Sequence, residues 1–227
     1  MIYCCNIASP HFLSTIVSSH GYELGEHNLW CKKNNFELGV RVPFILRAPW
    51  ITASRGAQTG VLAELVDVYP TLVELAGLPP PTNVGLVGTP APQGVSLVPA
   101  LRDPTGTRTT TTTLKPYAFS QYPRCGGSAK QNQGDCLEVP ALNFSAMGYS
   151  LRTAEWRYTE WKKWDGATLT PLWGASLGVE LYDHRGDDGT DFEAWENVNL
   201  AAVPEWSKIA ANLSAALAKQ FQRSKKE

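Results

Sequence analysis

Between Ser19 and Phe36 the chain gathers two histidines, two glutamates and two lysines in the run Ser19-His20-Gly21-Tyr22-Glu23-Leu24-Gly25-Glu26-His27-Asn28-Leu29-Trp30-Cys31-Lys32-Lys33-Asn34-Asn35-Phe36. An imidazole with an ammonium nearby can hold an oxyanion through charge-assisted hydrogen bonds, with a metal or a general acid beside it. The same residue types also make an ordinary polar surface loop, with His20 closing a turn on a backbone carbonyl, His27 bonding within its own loop and Lys32-Lys33 solvated. Spacing alone leaves both readings open.

Stepping outward to the elements that must position this loop, Phe12-Leu13-Ser14-Thr15-Ile16-Val17 is apolar and β-branched. It reads as a strand that opens into the turn chemistry of Ser18-Ser19-His20-Gly21, and ligand sites on open α/β sheets favour such strand ends. Gly39 to Pro49 reads as a second strand. Asp67 is a plausible N-cap for a helix through Leu72, Val73, Leu75 and Ala76, with Gly77 at the C′ position and Pro79-Pro80-Pro81 forbidding continuation. Past a Pro/Gly/Thr-rich connection come Tyr117–Ser120, Met147–Arg152 and Trp156–Trp164, whose aromatic and β-branched content suits an antiparallel sheet. Pro204 to Phe221 places Ile209, Leu213, Ala216, Leu217 and Phe221 at helical spacing. The expected organisation is therefore 1–78, a connection over 79–116, and 117–227 as an α+β subdomain.

Charge narrows the partners. Lys+Arg against Asp+Glu is 20 against 21, so no single-sign field suits nucleic acid, and no apolar run reaches the length of a membrane span. Of the five cysteines, Cys125 and Cys136 flank a short polar loop whose bridging would contribute about 2–3 kcal/mol. No spacing fits zinc. Two sequons, Asn143-Phe144-Ser145 and Asn212-Leu213-Ser214, agree with an oxidising secretory route, although the first seventeen residues do not read as a signal peptide.

The Ser19–Lys32 run closely resembles the S-D-H-G-x-x-L-G-E-H…W-x-K segment of the sulfatases, within the alkaline-phosphatase-like superfamily. Arg41-Val42-Pro43-Phe44-Ile45 resembles that family's R-V-P strand, and Glu64-Leu65-Val66-Asp67-Val68-Tyr69-Pro70-Thr71-Leu72 its E-L-V-D-x-Y-P-T-L segment. Ser120-Gln121-Tyr122-Pro123-Arg124 and Met147-Gly148-Tyr149-Ser150-Leu151-Arg152-Thr153 are similar to its iduronate-sulfatase-like branch. Glu180-Leu181-Tyr182-Asp183 with Glu196-Asn197-Val198-Asn199-Leu200-Ala201 resembles the C-terminal signature. The segments run in family order from about residue 16 to 202.

The resemblance implies a partial sulfatase α/β fold: the end of the large α/β domain, then a small C-terminal subdomain with an antiparallel sheet and a closing helix. It implies hydrolysis of sulfate esters on glycosaminoglycan sugars, with Ca²⁺ in the complete enzyme and secretory, lysosomal or extracellular routing. Residue by residue, His20 matches a metal-contacting position, Lys32 a lysine that reaches the sulfate, and Tyr22 an aromatic at the substrate mouth. The family's C-x-P-S-R nucleophile motif does not occur in these 227 residues, and Ser19 stands where the family has a metal-binding aspartate. Asp187-Asp188 is no substitute for the family's calcium aspartates, because the loop around it fails EF-hand spacing at Arg185 and Asp188. No catalytic nucleophile is thus assigned. The expected alternative is a non-catalytic sulfatase remnant or sulfated-glycan-binding module.

Overall fold

A computed structural model describes residues 12–79, 93–105, 114–125, 136, 138–192 and 194–222. Cys4-Cys5, the proline-rich stretch at 80–92, Thr109 to Thr113 and the basic end beyond Gln222 lie outside the described residues. In chain order the elements are β1 (Ser14–Val17), β2 (Glu23–Leu24), β3 (Trp30–Cys31), α1 (Glu37–Val40), β4 (Phe44–Arg47), α2 (Val68–Leu75), α3 (Val98–Arg102), β5 (Ala118–Cys125), β6 (Phe144–Arg152), β7 (Trp156–Asp165), β8 (Thr170–Asp183) and α4 (Ser207–Phe221). They fall into two compact units, one of residues 1–19 with 43–116 and one of 20–42 with 117–227.

In the first unit β1 pairs antiparallel with β4, Ser14 opposite Arg47 and Val17 opposite Phe44. The expected strand from Gly39 to Pro49 is confined to Phe44–Arg47. Residues 37–40 instead close one helical turn through Val40 N–H to the Phe36 carbonyl and Arg41 N–H to the Glu37 carbonyl. Helix α2 stops as the sequence anticipates. Gly77 takes φ 68°, its N–H reaches the Glu74 carbonyl and Leu78 N–H reaches that of Val73, which satisfies the last turn in a Schellman arrangement. Asp67 differs from a simple N-cap. A 3₁₀ turn over Leu65–Asp67 runs straight into α2, and the fully buried Asp67 carboxylate makes no capping bond to that helix but accepts N–H bonds from Glu64 (2.7 Å) and Val95 (2.8 Å). Lys115 supplies the balancing charge at 2.9 Å.

In the second unit β5-β6-β7-β8 form an antiparallel meander. The period-2 rule sends Met147, Tyr149, Leu151, Trp156, Tyr158 and Leu181 to one face, where Leu213 and Leu217 of α4 cover them. Tyr149 meets Phe221 at 4.5 Å between ring centroids, and Trp156 meets Trp206 at 5.2 Å. The opposite face carries Ser150, Arg152, Arg157 and Thr159, and these are buried as well. A binary pattern would expose that face; here residues 20–42 lie over it. Strand β8 extends from Thr170, well upstream of the Glu180–Asp183 signature. Cys125 and Cys136 are joined by a disulfide.

Leu217 is fully buried between α4 and the sheet. Leu217→Ala should lower the unfolding free energy by about 2–5 kcal/mol, read as a fall in the urea midpoint with an unchanged slope.

Candidate functional site

The chemistry-bearing loop rises from a short ladder. β2 pairs with β3, Glu23 opposite Cys31 and Leu24 opposite Trp30, and the connecting turn closes through Gly25 N–H to the Leu29 carbonyl at 3.0 Å. Of the four non-glycine residues with positive φ among the described residues, His27, Asn28 and Cys31 are in this loop. Left-handed backbone costs an L-residue about 1–2 kcal/mol, so the surroundings must hold it in place. Beneath the turn Glu23 is fully buried, its Oε2 3.4 Å from His27 Nδ1, and the His27 ring stacks on Phe36 at 4.0 Å. Burial pushes the Glu23 carboxyl up, and the charge of His27 offsets this only in part.

Above that support, His20 Nδ1 donates to the Gly21 carbonyl at 2.8 Å, which leaves Nε2 as an acceptor facing Lys32 Nζ at 2.7 Å. An ammonium has three donors, so Lys32 can hold His20 and still offer N–H groups to an anion. Tyr22 is half exposed, with its hydroxyl 3.5 Å from Cys31 Sγ, and Trp30 is 71% exposed on the neighbouring strand. The structure thus brings His20 and Lys32 together and places Tyr22 on the same hairpin.

The segment is anchored on the sheet by buried charge. Glu37 Oε1 accepts from Arg152 Nε (2.5 Å) and Arg157 Nη2 (3.0 Å), while its own backbone N–H donates to Glu196 Oε2 at 2.7 Å. Glu196 also takes Arg157 Nε, and lies 3.1 Å from His184 Nε2. The other His184 nitrogen faces Asp187 at 3.0 Å, and Asp187 is shared by Arg152 (3.1 Å) and Arg41 (3.3 Å). Asn35 adds a hydrogen bond to the Gly148 carbonyl at 3.2 Å. Gly21 N–H then bonds the Gly39 carbonyl at 2.9 Å, and a Cβ on Gly21 would lie 1.9 Å from the Leu38 carbonyl oxygen, so only glycine permits this closure. Burial alone would raise the Glu37 carboxyl, but the Arg157 and Arg152 guanidiniums outweigh it and hold the group at about 2.

Among the described residues, Glu37, His184 and Asp187 offer ligand atoms within 4.8 Å of one another, yet their oxygens serve three arginines. Those cations oppose a divalent ion there. His20 brings one imidazole with an ammonium at its Nε2, which does not amount to the hard oxygen set that Ca²⁺ takes. Arg41 pairs with the Asp187 carboxylate, whereas Arg124 sits over the Trp161 ring at 4.8 Å. Sequence reasoning missed Glu37, Arg152, Arg157 and His184. Charged residues at Arg152 and Arg157, inside otherwise core-forming strands, were the available signal.

No protein-family model matches the chain. It is 33% identical over 213 residues to iduronate 2-sulfatase of Mus musculus, covering 79% of this chain and 37% of that protein. It is 25% identical over 206 residues to arylsulfatase K of Rattus norvegicus, covering 90% and 31%. The solved structure of a 2-O GAG sulfatase superposes with a TM-score of 0.62 at 26% identity, over 94% of this chain and 37% of that one. The chain spans about a third of the length of the curated relatives it matches.

Removing Glu37 strands two buried guanidiniums, so Glu37→Ala should cost about 3–5 kcal/mol in chemical denaturation. Because pairing holds the group below its ordinary 4.5, its contribution is complete above that pH and is lost as pH falls toward about 2. Acid titration of stability should therefore show a loss of about 3 kcal/mol across that window, which Glu37→Gln flattens.

Proposed function

From its membership of the sulfatase family, we propose that this chain carries the substrate side of a sulfuric ester hydrolase site, with Lys32 facing the sulfate, His20 holding Lys32 in place and Tyr22 facing the sugar. The observation that supports this reading is the Lys32–His20 pair at 2.7 Å, on a loop whose strained residues are held by a buried support. A sulfate ester presents non-bridging oxygens that accept hydrogen bonds, and an exposed ammonium kept in place by an imidazole is a preorganised donor for them. The Nδ1–H of His20 is committed to the Gly21 carbonyl, so the ring cannot swing away without losing that bond. Half-exposed Tyr22 and exposed Trp30 offer ring faces to a pyranose.

We assign the substrate class as sulfated glycosaminoglycan sugars of the iduronate-2-sulfatase type. Two relatives support this: the iduronate 2-sulfatase of Mus musculus and the 2-O GAG sulfatase of known structure. The family suggests a metal ion in the complete enzyme, which we read as Ca²⁺, and the routing we propose is secretory, lysosomal or extracellular.

A second reading has its own observation. C-x-P-S-R does not occur in the 227 residues, so the chain as given would bind sulfated glycans without turnover. Titration calorimetry of the purified chain with a 2-O-sulfated uronate disaccharide, with and without calcium, separates the readings from each other. Under both, Lys32→Ala should weaken binding about tenfold to a hundredfold, the worth of one charge-assisted hydrogen bond. Calcium-dependent sulfate release that Lys32→Ala abolishes would reject the non-catalytic reading; affinity unchanged by Lys32→Ala would reject the proposed site.

A further inference from the structure

Of the two N-glycosylation sequons, neither takes part in the site above, and the fold treats them differently. Asn143 is exposed, ends a 3₁₀ turn over Ala141–Asn143, and is followed by Phe144 in extended backbone (φ −65°, ψ 139°) as β6 begins. Extended backbone sends residues i and i+2 to the same side, so the Asn143 amide and the Ser145 hydroxyl can lie together, as transfer to a sequon requires. In the folded chain the Ser145 hydroxyl donates to the Arg124 carbonyl at 3.0 Å, at the exposed start of β6. Asn212 and Ser214 lie within the fifteen-residue helix α4, where positions i and i+2 point apart. Ser214 is turned inward, its hydroxyl donating to the buried Glu160 carboxylate.

The surroundings of Asn143 also suit a sugar. Leu142 is 60% exposed beside it, and Phe144 and Trp164 stand with ring centroids 6.1 Å apart. The Trp164 indole N–H is fixed on the Ala141 carbonyl at 2.8 Å. A first N-acetylglucosamine could cover this apolar rim with its own apolar face. The position is remote from the buried charges that hold the candidate loop: Asn143 precedes the first residue of β6, Phe144, and Arg152 ends the strand about 26 Å beyond Phe144.

We infer that Asn143 is an N-glycan attachment site and that Asn212 is not. The Asn143 amide nitrogen displaces the diphosphate from C1 of a lipid-linked oligosaccharide. The N–C1 bond forms, the C1–O bond to diphosphate breaks, the amide loses one proton, and the lipid diphosphate leaves. The inference rests on the secretory routing proposed above, so its test forces entry. The chain is fused behind a cleavable secretion signal, with an unstructured sequon tag at its C-terminus to report arrival in the lumen, and expressed in mammalian cells.

Peptide mapping after peptide-N-glycosidase should find deamidation at Asn143 and at the tag, with Asn212 unmodified. Ser145→Ala should remove one glycan's gel shift, Ser145→Thr should restore it, and Ser214→Ala should leave the pattern unchanged. A glycosylated tag with unmodified Asn143 overturns the inference, as does occupancy of Asn212. Recovery of the naturally expressed protein outside the secretory route would count against the routing alone.

Discussion

Two guanidiniums, of Arg152 and Arg157, and the carboxylates of Glu37, Asp187 and Glu196, with His184 between the last two, are buried on the face of the antiparallel sheet away from α4, the exposed Arg41 joins them at the margin, and the rest of this unit depends on their balance. Desolvating such charges costs several kcal/mol per ion, which is recovered only where geometry and further hydrogen bonds are good. Here each carboxylate is shared. Glu37 bridges Arg152 and Arg157, Glu196 bridges Arg157 and the backbone of α1, and Asp187 bridges Arg152 and Arg41. Two of the shared acids come from distant stretches of sequence, so the network specifies which segment lies over the sheet as well as stabilising it. An apolar replacement of equal volume would pack there without that selectivity.

The consequence for chemistry runs along the backbone. Glu37 opens α1, α1 presents the Gly39 carbonyl to Gly21, and Gly21 adjoins His20, which receives Lys32. A buried ion pair on the sheet is therefore connected to an exposed cation on the surface by a short chain of fixed groups. The C-terminal signature acts similarly from the other side. Asn199 Oδ1 accepts the Leu181 and Ala201 N–H groups, and its amide donates to the Val179 carbonyl, so the segment bearing Glu196 is clamped to β8.

Much of this was legible in the sequence where local rules decide. Gly77 ends α2 because only a left-handed residue fits there, and the spacing of Leu213, Leu217 and Phe221 identifies the face of α4 that covers the sheet. The Cys125–Cys136 pairing was likewise suggested by its short polar loop. The resemblance also located His20 and Lys32 on one loop. What was not legible depends on non-local partners. Arg157 and Thr159 alternate with core residues and so look solvent-facing; their burial follows from residues 20–42, more than a hundred positions upstream. Glu37 lies just ahead of the strand expected from Gly39, and the partners of its carboxylate, the arginines of the β6–β7 hairpin, are more than a hundred positions away in sequence. Asp187 drew attention as one of two adjacent acids, and its role as the shared partner of Arg41, Arg152 and His184 is a property of the folded chain.

The central claim is that pairing of Glu37 with Arg152 and Arg157 holds the His20–Lys32 loop in place. Residue-resolved hydrogen exchange on Glu37→Gln at neutral pH tests it most directly. The account predicts that the amides of Gly21, Val40 and Arg41 lose protection while those of β6 and β7 facing α4 keep theirs. Unchanged protection at Gly21, or a uniform loss across the whole sheet, would contradict it.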